Sequence, residues 1–210
     1  RSAGTKIAFK GKDYVVEEDS LERMKGLDLL LGAADNDVAK KFLPDAAKLG
    51  VTVVDNSSAF RLDPEVPLVI PEVNPEDVKW SKGLIANPNC ATIIGLTAIA
   101  PLHRRAKVKR LIASTYQAVS GAGKGGIDEL EAEVKAPAGT PAPCKVFPYP
   151  IAYNLIPQIG GFNDEGYTSE EMKMQNEGRK MLHDDNLLVS CTCVRVPIIR
   201  SHSELSLIHI

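Results

Sequence analysis

The sequence contains no apolar run long enough to cross a membrane. A membrane-spanning helix needs roughly 18 consecutive apolar residues, and no stretch of the 210 residues reaches that length. The N-terminal residues also lack the basic and then apolar layout of a secretory signal. We therefore expect a soluble protein of the cytoplasm, or of the plastid if the source is a plant or an alga.

The sequence has no excess of positive charge and few cysteines. Lys and Arg number 25 against 27 Asp and Glu, a formal net charge of -2, which gives no electrostatic reason to bind nucleic acid or an anionic membrane. The 4 cysteines are too few and too unevenly spaced for the disulfide framework of a secreted protein. We expect reduced thiols and chemistry on a small molecule.

What is present is the composition of a globular protein. With 44% hydrophobic and 25% charged residues, the chain can form one large domain or two small ones. Residue 1 is Arg, and residues 1–11 already predict strand and turn. We therefore expect the chain to begin inside a domain and to be a fragment.

One βαβ unit is predicted in the first quarter of the chain. An apolar run at 27–33 precedes an amphipathic segment at 37–50, which Gly50 ends, and a second apolar run at 51–57. Two buried strands joined by a helical crossover are the building block of a doubly wound parallel sheet. Ligands of such sheets collect at the carboxyl ends of the strands, so the polar segment 55–61 is a candidate site.

A domain boundary is predicted near residue 88, which gives domains of 1–88 and 89–210. The second domain combines helices and strands, predicted as a helix from Cys90, a strand in 108–120, a helix in 127–135, a helix in 168–183 capped by Thr168 or Ser169, and a strand in 187–199. The proline-rich stretch 137–150 predicts an irregular surface excursion.

Cys90 is a candidate nucleophile. It stands in the first turn of a predicted helix, where unpaired N–H groups and the positive end of the helix dipole favour a thiolate and can stabilise an oxyanion. The alternative is a small packed side chain, because cysteine is among the most buried residue types. Asn89 before it is equally a plain N-cap.

A thiol nucleophile needs a base, and His202 is the best candidate among the four histidines. His103 lies among cations at a predicted helix end and His183 ends a charged helix, so we expect both to be solvated; His209 has no informative context. His202 follows a strand that carries Arg195, and such cationic surroundings suit an anionic substrate.

Three further patterns are weaker. Glu170 and Lys173, three residues apart on a helix, predict a surface ion pair. The glycine-rich loop 120–126 resembles a phosphate cradle but fits neither the dinucleotide pattern nor the P-loop pattern in full. Cys191 and Cys193 share one face of a strand without a usual zinc spacing, so we expect no metal.

Seven segments, in order along nearly the whole chain, together resemble the aspartate-semialdehyde dehydrogenase family. They are RSAG (1–4), DNSSAFRLDPEVPLVIPEVN (55–74), NPNCATI (87–93), STYQAVSGAG (114–123), AYNLIPQIGGF (152–162), EEMK (170–173) and RVPIIRSH (195–202). The segments 87–93, 114–123 and 195–202 are the most specific.

The resemblance implies a fold and an activity. The fold is α/β: a partial doubly wound, Rossmann-like parallel sheet in 1–88, followed by an α+β catalytic and dimerisation domain in 89–210, in a homodimer or homotetramer. The activity is NADP-dependent reduction of 4-aspartyl phosphate to aspartate 4-semialdehyde and phosphate through a cysteine thioester. The alternatives are an N-acetyl-glutamyl-phosphate reductase or a catalytically silent, truncated paralogue that serves as a dimerisation module.

The resemblance also assigns roles to individual residues. Cys90 is the nucleophile, His202 the acid and base, and Gln117 orients the reacting centre. Arg195 binds the substrate carboxylate and Glu170 the substrate amine, which reverses the surface prediction for Glu170. The remaining positions are Arg61, Asn89 and Lys173 for phosphate, Arg1 and Ser2 for the 2′-phosphate of NADP, and Ser120 and Gly121 near the nicotinamide.

Three departures from the family pattern accompany the resemblance. The glycine-rich strand-turn-helix that holds the pyrophosphate is missing, and residues 32–37 stand where the family often has Ser-Ala-Gly. Residues 203–210 do not resemble the family's continuation. We therefore expect weak NADP binding by this chain and non-native final residues.

Overall fold

A computed structural model describes residues 2–137, 139–141 and 144–210 of the chain. These residues form two compact units. The first comprises the residues up to Pro67 together with Asp77–Asn87, and the second comprises Leu68–Glu76 and Pro88–Ile210. The segment Leu68–Glu76, which the sequence places in the first domain, therefore belongs to the second unit.

The first unit begins with an antiparallel hairpin. Strand β1 (Lys6–Phe9) pairs with β2 (Lys12–Val15), and the two residues between them, Lys10 and Gly11, both have positive φ (48° and 76°). Positive φ at both central residues is the geometry of the tight turns that join twisted strands. The strand and turn predicted for residues 1–11 are thus present, and a single helical turn, α1 (Leu21–Met24), follows.

A three-stranded parallel sheet forms the body of the first unit. Its strands are β3 (Leu29–Gly32), β4 (Thr52–Asp55) and β5 (Leu84–Ala86), in the order β3-β4-β5. Helix α2 (Asn36–Lys48) makes the crossover from β3 to β4, and a 3-10 helix (Pro75–Trp80) precedes β5. The predicted βαβ unit and the partial doubly wound sheet are confirmed.

One detail of that prediction is wrong. The run 27–33 was expected to form a buried strand, but Leu29 and Leu31 in β3 are 54% and 70% exposed. Among the described strands, β3 is an edge strand with a partner on one side only, whereas β4 lies between β3 and β5. Val53 in β4 is fully buried.

The second unit is a mixed α+β structure built on one sheet. Its strands are β6 (Arg110–Gln117), β7 (Leu188–Arg195) and β8 (His202–His209), in the order β7-β6-β8, with β7 parallel and β8 antiparallel to β6. Its helices are α3 (Cys90–Ala106), α4 (Gly123–Lys135) and α5 (Ser169–Leu182), with a 3-10 helix at Val119–Ala122. Among the described helices, none is long and apolar enough to span a bilayer.

The core of this unit lies where α3 and α5 pack on one face of the sheet. Alternate residues of β6 point inward, so Leu111, Ala113, Thr115 and Gln117 are buried. They pack with residues of the two helices and of β7 that include Ala91, Ile99, Met174, Cys191 and Cys193. Because Gln117 is the last residue of this inward series, the polar end of the core falls at the carboxyl ends of β6 and β7.

Strand β8 was not predicted, because residues 203–210 were expected to be non-native. They nevertheless pair with β6 over its whole length, from His202 opposite Gln117 to His209 opposite Arg110. Leu205 and Leu207 are 68% and 57% exposed, on the sheet face away from the core. The unit therefore presents an open apolar sheet face.

Glu204 on β8 gives a prediction about stability. Both carboxylate oxygens are buried without a hydrogen-bond partner among the described residues, and this burial raises the pKa of Glu204 from 4.5 to about 7. The folded chain thus holds a proton that the unfolded chain releases near pH 4.5, so stability falls as the pH rises from about 4.5 to 7. We expect Glu204→Gln to remove this fall.

After discounting for partial solvent exposure, the Glu204→Gln variant should be more stable than the unmodified chain by about 1 to 2 kcal/mol at about pH 8 and unchanged at about pH 4.5. Urea unfolding at both pH values measures the difference, and Glu131→Gln on the exposed side of α4 is the control. An equal gain in the free energy of unfolding from Glu204→Gln at both pH values would contradict the raised pKa of Glu204.

Candidate active site

The site is built around the start of α3. Asn89 is the N-cap, and its side-chain oxygen accepts hydrogen bonds from the backbone N–H groups of Ala91 (3.0 Å) and Thr92 (3.3 Å). Asn is among the preferred N-cap residues because its side chain satisfies amides that the helix leaves open. Cys90 is therefore the first residue of the helix, as the sequence predicts.

Glu170 joins three predicted site residues from three different elements. Its Oε1 accepts hydrogen bonds from Asn89 Nδ2 (2.9 Å) and Gln117 Nε2 (3.3 Å), and its Oε2 lies 2.8 Å from Lys173 Nζ. Glu170 is only 7% exposed. The pattern-based prediction of a surface ion pair is wrong, because the first turn of α5 packs against α3 and the end of β6.

The charge state of Glu170 follows from these contacts. Burial by itself would raise its pKa, but the charge of Lys173 and the hydrogen bonds from Lys173, Asn89 and Gln117 lower the pKa of Glu170 below its usual value. A carboxylate in this setting is ionised at neutral pH. The site therefore holds a buried negative charge beside a lysine that is partly exposed.

Arg195 ends strand β7 and is buried, with 6% exposure. Its Nη1 donates to the carbonyl of Ala118 at 2.7 Å, and its guanidinium lies over the ring of Phe147 at 6.0 Å. Gly121 lies against it, since a Cβ there would be 2.8 Å from Arg195 Nη1 and 3.6 Å from His202 Cε1. Arg195, His202 and Gly121 therefore share one corner of the site.

His202 begins strand β8, opposite Gln117 in the antiparallel register. Its Nδ1 accepts a hydrogen bond from the backbone N–H of Ala118 at 3.1 Å, so in the neutral ring the proton resides on Nε2. Burial, together with the charge of Arg195, lowers the pKa of His202 below its usual value. The imidazole is thus neutral at pH 7 and offers Nε2–H as a proton donor.

The expectation of a readily formed thiolate at Cys90 is wrong for this state of the protein. The residue is exposed, yet partial burial of the thiol and the negative charge of Glu170 raise the pKa of Cys90. The backbone N–H groups of Ala91 and Cys90 and the charge of Lys173 lower it, but by less. The helix N-terminus acts as predicted, and burial together with the nearby carboxylate outweighs it.

This arrangement predicts that the thiol of Cys90 reacts faster when the negative charge of Glu170 is removed. We expect Glu170→Gln to lower the pKa of Cys90 and to speed its alkylation by iodoacetamide at about pH 7.5, because the repelling charge is gone while Lys173 remains. The rate measured between about pH 6 and pH 10, with Cys144 replaced by Ser, reports on Cys90. Glu165→Gln, at an exposed position, is the control, and a rate unchanged by Glu170→Gln would refute the electrostatic account.

The remaining predicted residues belong to other segments of the chain. Ser120 is in the 3-10 helix beside Gly121, and its backbone N–H donates to the carbonyl of Ile199 at 3.2 Å. Arg61 belongs to the first unit, where its buried guanidinium donates to the carbonyls of Asn87 (2.9 Å) and Asn56 (3.1 Å). Ser2, also in the first unit, is exposed, and Arg1 lies outside the described residues.

Of the other histidines, His103 is largely buried and His183 is exposed. His103 was expected to be solvated, but its side chain is only 12% exposed and its Nε2 lies 4.0 Å from a carboxylate oxygen of Asp184. The turn after α5 brings Asp184 there, a contact that no local pattern encodes. His183 is exposed, as predicted, and caps α5 with φ 50°.

Two features of the site were missed by sequence reasoning. The backbone of Ala118 serves both Arg195 and His202, through its carbonyl and its N–H. Glu177 on α5 is 2% exposed and accepts the backbone N–H of Asn89 at 2.7 Å. The only available signal for Glu177 was its spacing of seven residues from Glu170, which places both on one helix face.

Two family models match the chain over most of its length. Residues 99–210 match the model described as semialdehyde dehydrogenase, dimerisation domain, and residues 1–81 match its NAD binding domain. The chain belongs to the semialdehyde dehydrogenase family. The match runs through residue 210, so the segment 203–210, which was expected to depart from the family, lies inside it. The first unit accordingly contains part of a domain for a nicotinamide cofactor.

Individual relatives agree with the family assignment. An aspartate-semialdehyde dehydrogenase of Aquifex aeolicus is 50% identical over 209 residues, which cover 97% of this chain and 62% of that protein. The crystal structure of aspartate semialdehyde dehydrogenase II of Vibrio cholerae complexed with ASA superposes with a TM-score of 0.90 at 43% identity, covering 99% of this chain and 62% of that one. The chain thus spans about three fifths of the length of these proteins.

A third relative bears on the cofactor. The crystal structure of the Candida albicans enzyme with NADP has a TM-score of 0.72 at 25% identity, with 100% of this chain and 61% of that chain covered. All three of these proteins carry the name aspartate-semialdehyde dehydrogenase.

Proposed function

We propose that the protein is an NADP-dependent aspartate-semialdehyde dehydrogenase, which reduces 4-aspartyl phosphate to aspartate 4-semialdehyde and releases phosphate. The observation that carries the proposal is the placement of Cys90 at a helix N-terminus next to a cluster that holds Glu170, Lys173, Arg195 and His202. Within the semialdehyde dehydrogenase family, this cluster has the charges that an aspartyl substrate needs.

The charges of the site suit the two ends of an amino acid. The ionised carboxylate of Glu170 attracts the substrate ammonium group. Arg195 uses one guanidinium hydrogen on the carbonyl of Ala118, and its other donors can bind the substrate carboxylate in a planar fork. Both side chains are buried, so water competes little with the substrate for them.

Phosphate binding is the role proposed for Lys173, Asn89 and Arg61. The Lys173 side chain is 33% exposed, and its ammonium has three donors, of which Glu170 takes one. Asn89 uses its side-chain oxygen as a cap and one Nδ2 hydrogen on Glu170, which leaves the second hydrogen as a donor. The guanidinium of Arg61 already donates to two backbone carbonyls. Of the three residues, Arg61 therefore has the weakest structural support for a role in phosphate binding.

The chemistry begins with Cys90. Its sulfur attacks the acyl carbon of 4-aspartyl phosphate, a C–S bond forms, and the C–O bond to phosphate breaks to leave a thioester, while the thiol proton leaves with the departing phosphate. The backbone N–H groups at the start of α3 and the Nε2–H of His202 stabilise the oxygen that becomes negative. The thiol is regenerated when the C–S bond of the reduced adduct breaks and the aldehyde leaves.

The site residues fit a nicotinamide ring beside the reacting carbon. Gly121 has no side chain at the place where one would contact Arg195 and His202, and Ser120 precedes it. NADPH, when bound, would supply the hydride that reduces the thioester carbon. Ser2 and Arg1 are proposed for the 2′-phosphate, and Gln117 holds the reacting group in line.

We further propose a homodimer or homotetramer in the cytoplasm, or in a plastid in a photosynthetic host. The dimerisation-domain match covers β6 and β8, whose outer face exposes Tyr116, Leu205 and Leu207. An open apolar sheet face of this kind is typical of a surface that a second subunit covers.

The experiment that tests the function compares the turnover of two semialdehyde substrates. The full-length protein is incubated with NADP, phosphate and either aspartate 4-semialdehyde or N-acetylglutamate semialdehyde, and NADPH formation is followed by absorbance. We expect turnover with the first substrate, at a kcat/KM at least about 100-fold higher than with the second. Preference for the acetylated substrate, or no turnover with either, would refute the proposal.

A further inference from the structure

The start of α3 lacks a component that helix starts commonly have. In a capping box, the N-cap side chain accepts a backbone N–H of the first turn, and a Glu or Gln at the third helical position accepts the N-cap's own N–H. Helix α5 has the full box, from Thr168 and Glu171. In α3 the third position is Thr92, whose buried hydroxyl makes no hydrogen bond to any described residue.

A residue of another helix takes the missing place. The Oε2 of Glu177 accepts the backbone N–H of Asn89 at 2.7 Å, across 88 residues of sequence. Glu177 is 2% exposed, and it lies two turns along α5 from Glu170, on the helix face that meets α3. The amide it holds is that of the residue immediately before Cys90.

We propose that Glu177 is a positioning residue for the nucleophile. Its carboxylate completes the N-cap of α3 from α5, and so fixes Cys90 relative to Glu170 and Lys173, which α5 also carries. This inference rests on the proposed function, because it assigns Glu177 a part in the same reaction. Asn89 then has contacts to α5 through both its backbone N–H and its side-chain Nδ2.

The geometry explains why the link matters for rate rather than for binding. Without Glu177 the buried N–H of Asn89 loses its acceptor, and the first turn of α3 must shift to find another. A displacement of about 1 Å at a nucleophile can lower the rate about 100-fold. Glu170 keeps its hydrogen bonds with Gln117 and Lys173, and Arg195 keeps its bond to Ala118, so the groups proposed to bind the substrate ammonium and carboxylate stay in place.

Kinetics of three variants of the full-length protein test the inference. We expect Glu177→Ala to lower kcat about 30- to 100-fold with KM for aspartate 4-semialdehyde within about threefold of the unmodified protein. Glu177→Gln retains an acceptor oxygen of the same reach, so it should recover kcat to within about fivefold. The control is Glu133→Ala, which removes a carboxylate that holds the backbone N–H groups of Ile151 and Ala152 from α4.

A purely structural role would give another result. It would lower thermal stability in Glu177→Ala and Glu133→Ala alike and leave kcat per titrated Cys90 thiol unchanged. A kcat in Glu177→Ala within about twofold of the unmodified protein, a Gln variant as slow as the Ala variant, or an equal fall in the control would each overturn the inference.

Hydrogen exchange separates this inference from the proposed function. We expect the amides of residues 89–92 to exchange at least about tenfold faster in Glu177→Ala than in Glu177→Gln, with or without activity. If the unmodified protein turns over no semialdehyde but this difference is present, the proposed function fails, while the link by which Glu177 holds the first turn of α3 stands. If the protein is active and the exchange rates are equal, the positioning role fails.

Discussion

Replacing Arg195 with Lys should lower kcat/KM for aspartate 4-semialdehyde about 100-fold. The guanidinium is buried, held by the carbonyl of Ala118 and stacked near Phe147, and it presents planar paired donors to a carboxylate. A lysine ammonium is a point charge that cannot reproduce this fork or the contact with Gly121. Steady-state kinetics with varied semialdehyde measure the loss, which should fall mainly on KM.

The matched control for this substitution is Arg200→Lys. Arg200 lies five residues further along the chain and is exposed, so the same chemical change there should leave kcat/KM within about twofold. If Arg195→Lys were as active as this control, Arg195 could not be the group that binds the substrate carboxylate.

Replacing Cys90 with Ser should lower kcat at least about 10⁴-fold while the fold is retained. The reaction requires a sulfur that attacks an acyl phosphate and later leaves as a thiolate, and a serine hydroxyl is a poorer nucleophile and a much poorer leaving group. Because Cys90 is exposed at the helix start and its side chain is not in the core cluster, the free energy of unfolding should change by less than about 1 kcal/mol. Kinetics and urea unfolding measure the two quantities.

Cys144→Ser provides the comparison, since Cys144 is also exposed but lies in the irregular segment after α4. It should retain full activity. A Cys90→Ser variant that kept a tenth of the activity would exclude a thioester route and leave only binding roles for this site.

The features that the sequence predicts correctly are those that neighbours along the chain decide. Asn89 before Cys90 predicts a capped helix, and the structure has that cap. The apolar runs around α2 predict parallel strands with a helical crossover, because a β-α-β pattern has few other solutions. The N-cap of α5, predicted as Thr168 or Ser169, is Thr168 and follows from the same local chemistry.

The features that the sequence does not predict depend on contacts between distant segments. Glu170 looks like half of a surface ion pair until α5 packs against Asn89 and Gln117, which are 81 and 53 residues away. The raised pKa of Cys90 depends on such contacts too, because packing partly buries the thiol and α5 brings the carboxylate of Glu170 close to it. Strand β8 forms by pairing with β6 rather than from its own pattern.

The raised pKa of Cys90 also bears on how the proposed enzyme would work. Burial and then the negative charge of Glu170 raise the pKa of the thiol, and that charge is the one proposed to bind the substrate ammonium group. When that cation pairs with Glu170, the charge that repels a thiolate is neutralised and the pKa of Cys90 falls. Substrate binding would in this way activate the nucleophile that attacks it.

The most direct test of this account is to trap the thioester. The full-length protein is mixed with aspartate 4-semialdehyde and NADP without phosphate, quenched in acid, digested and examined by mass spectrometry. The account predicts one aspartyl group on the peptide that contains Cys90, formed together with one equivalent of NADPH and lost when phosphate is added before the quench. NADPH formation without an adduct, or an adduct on Cys144 instead, would contradict the central claim that Cys90 carries the acyl group.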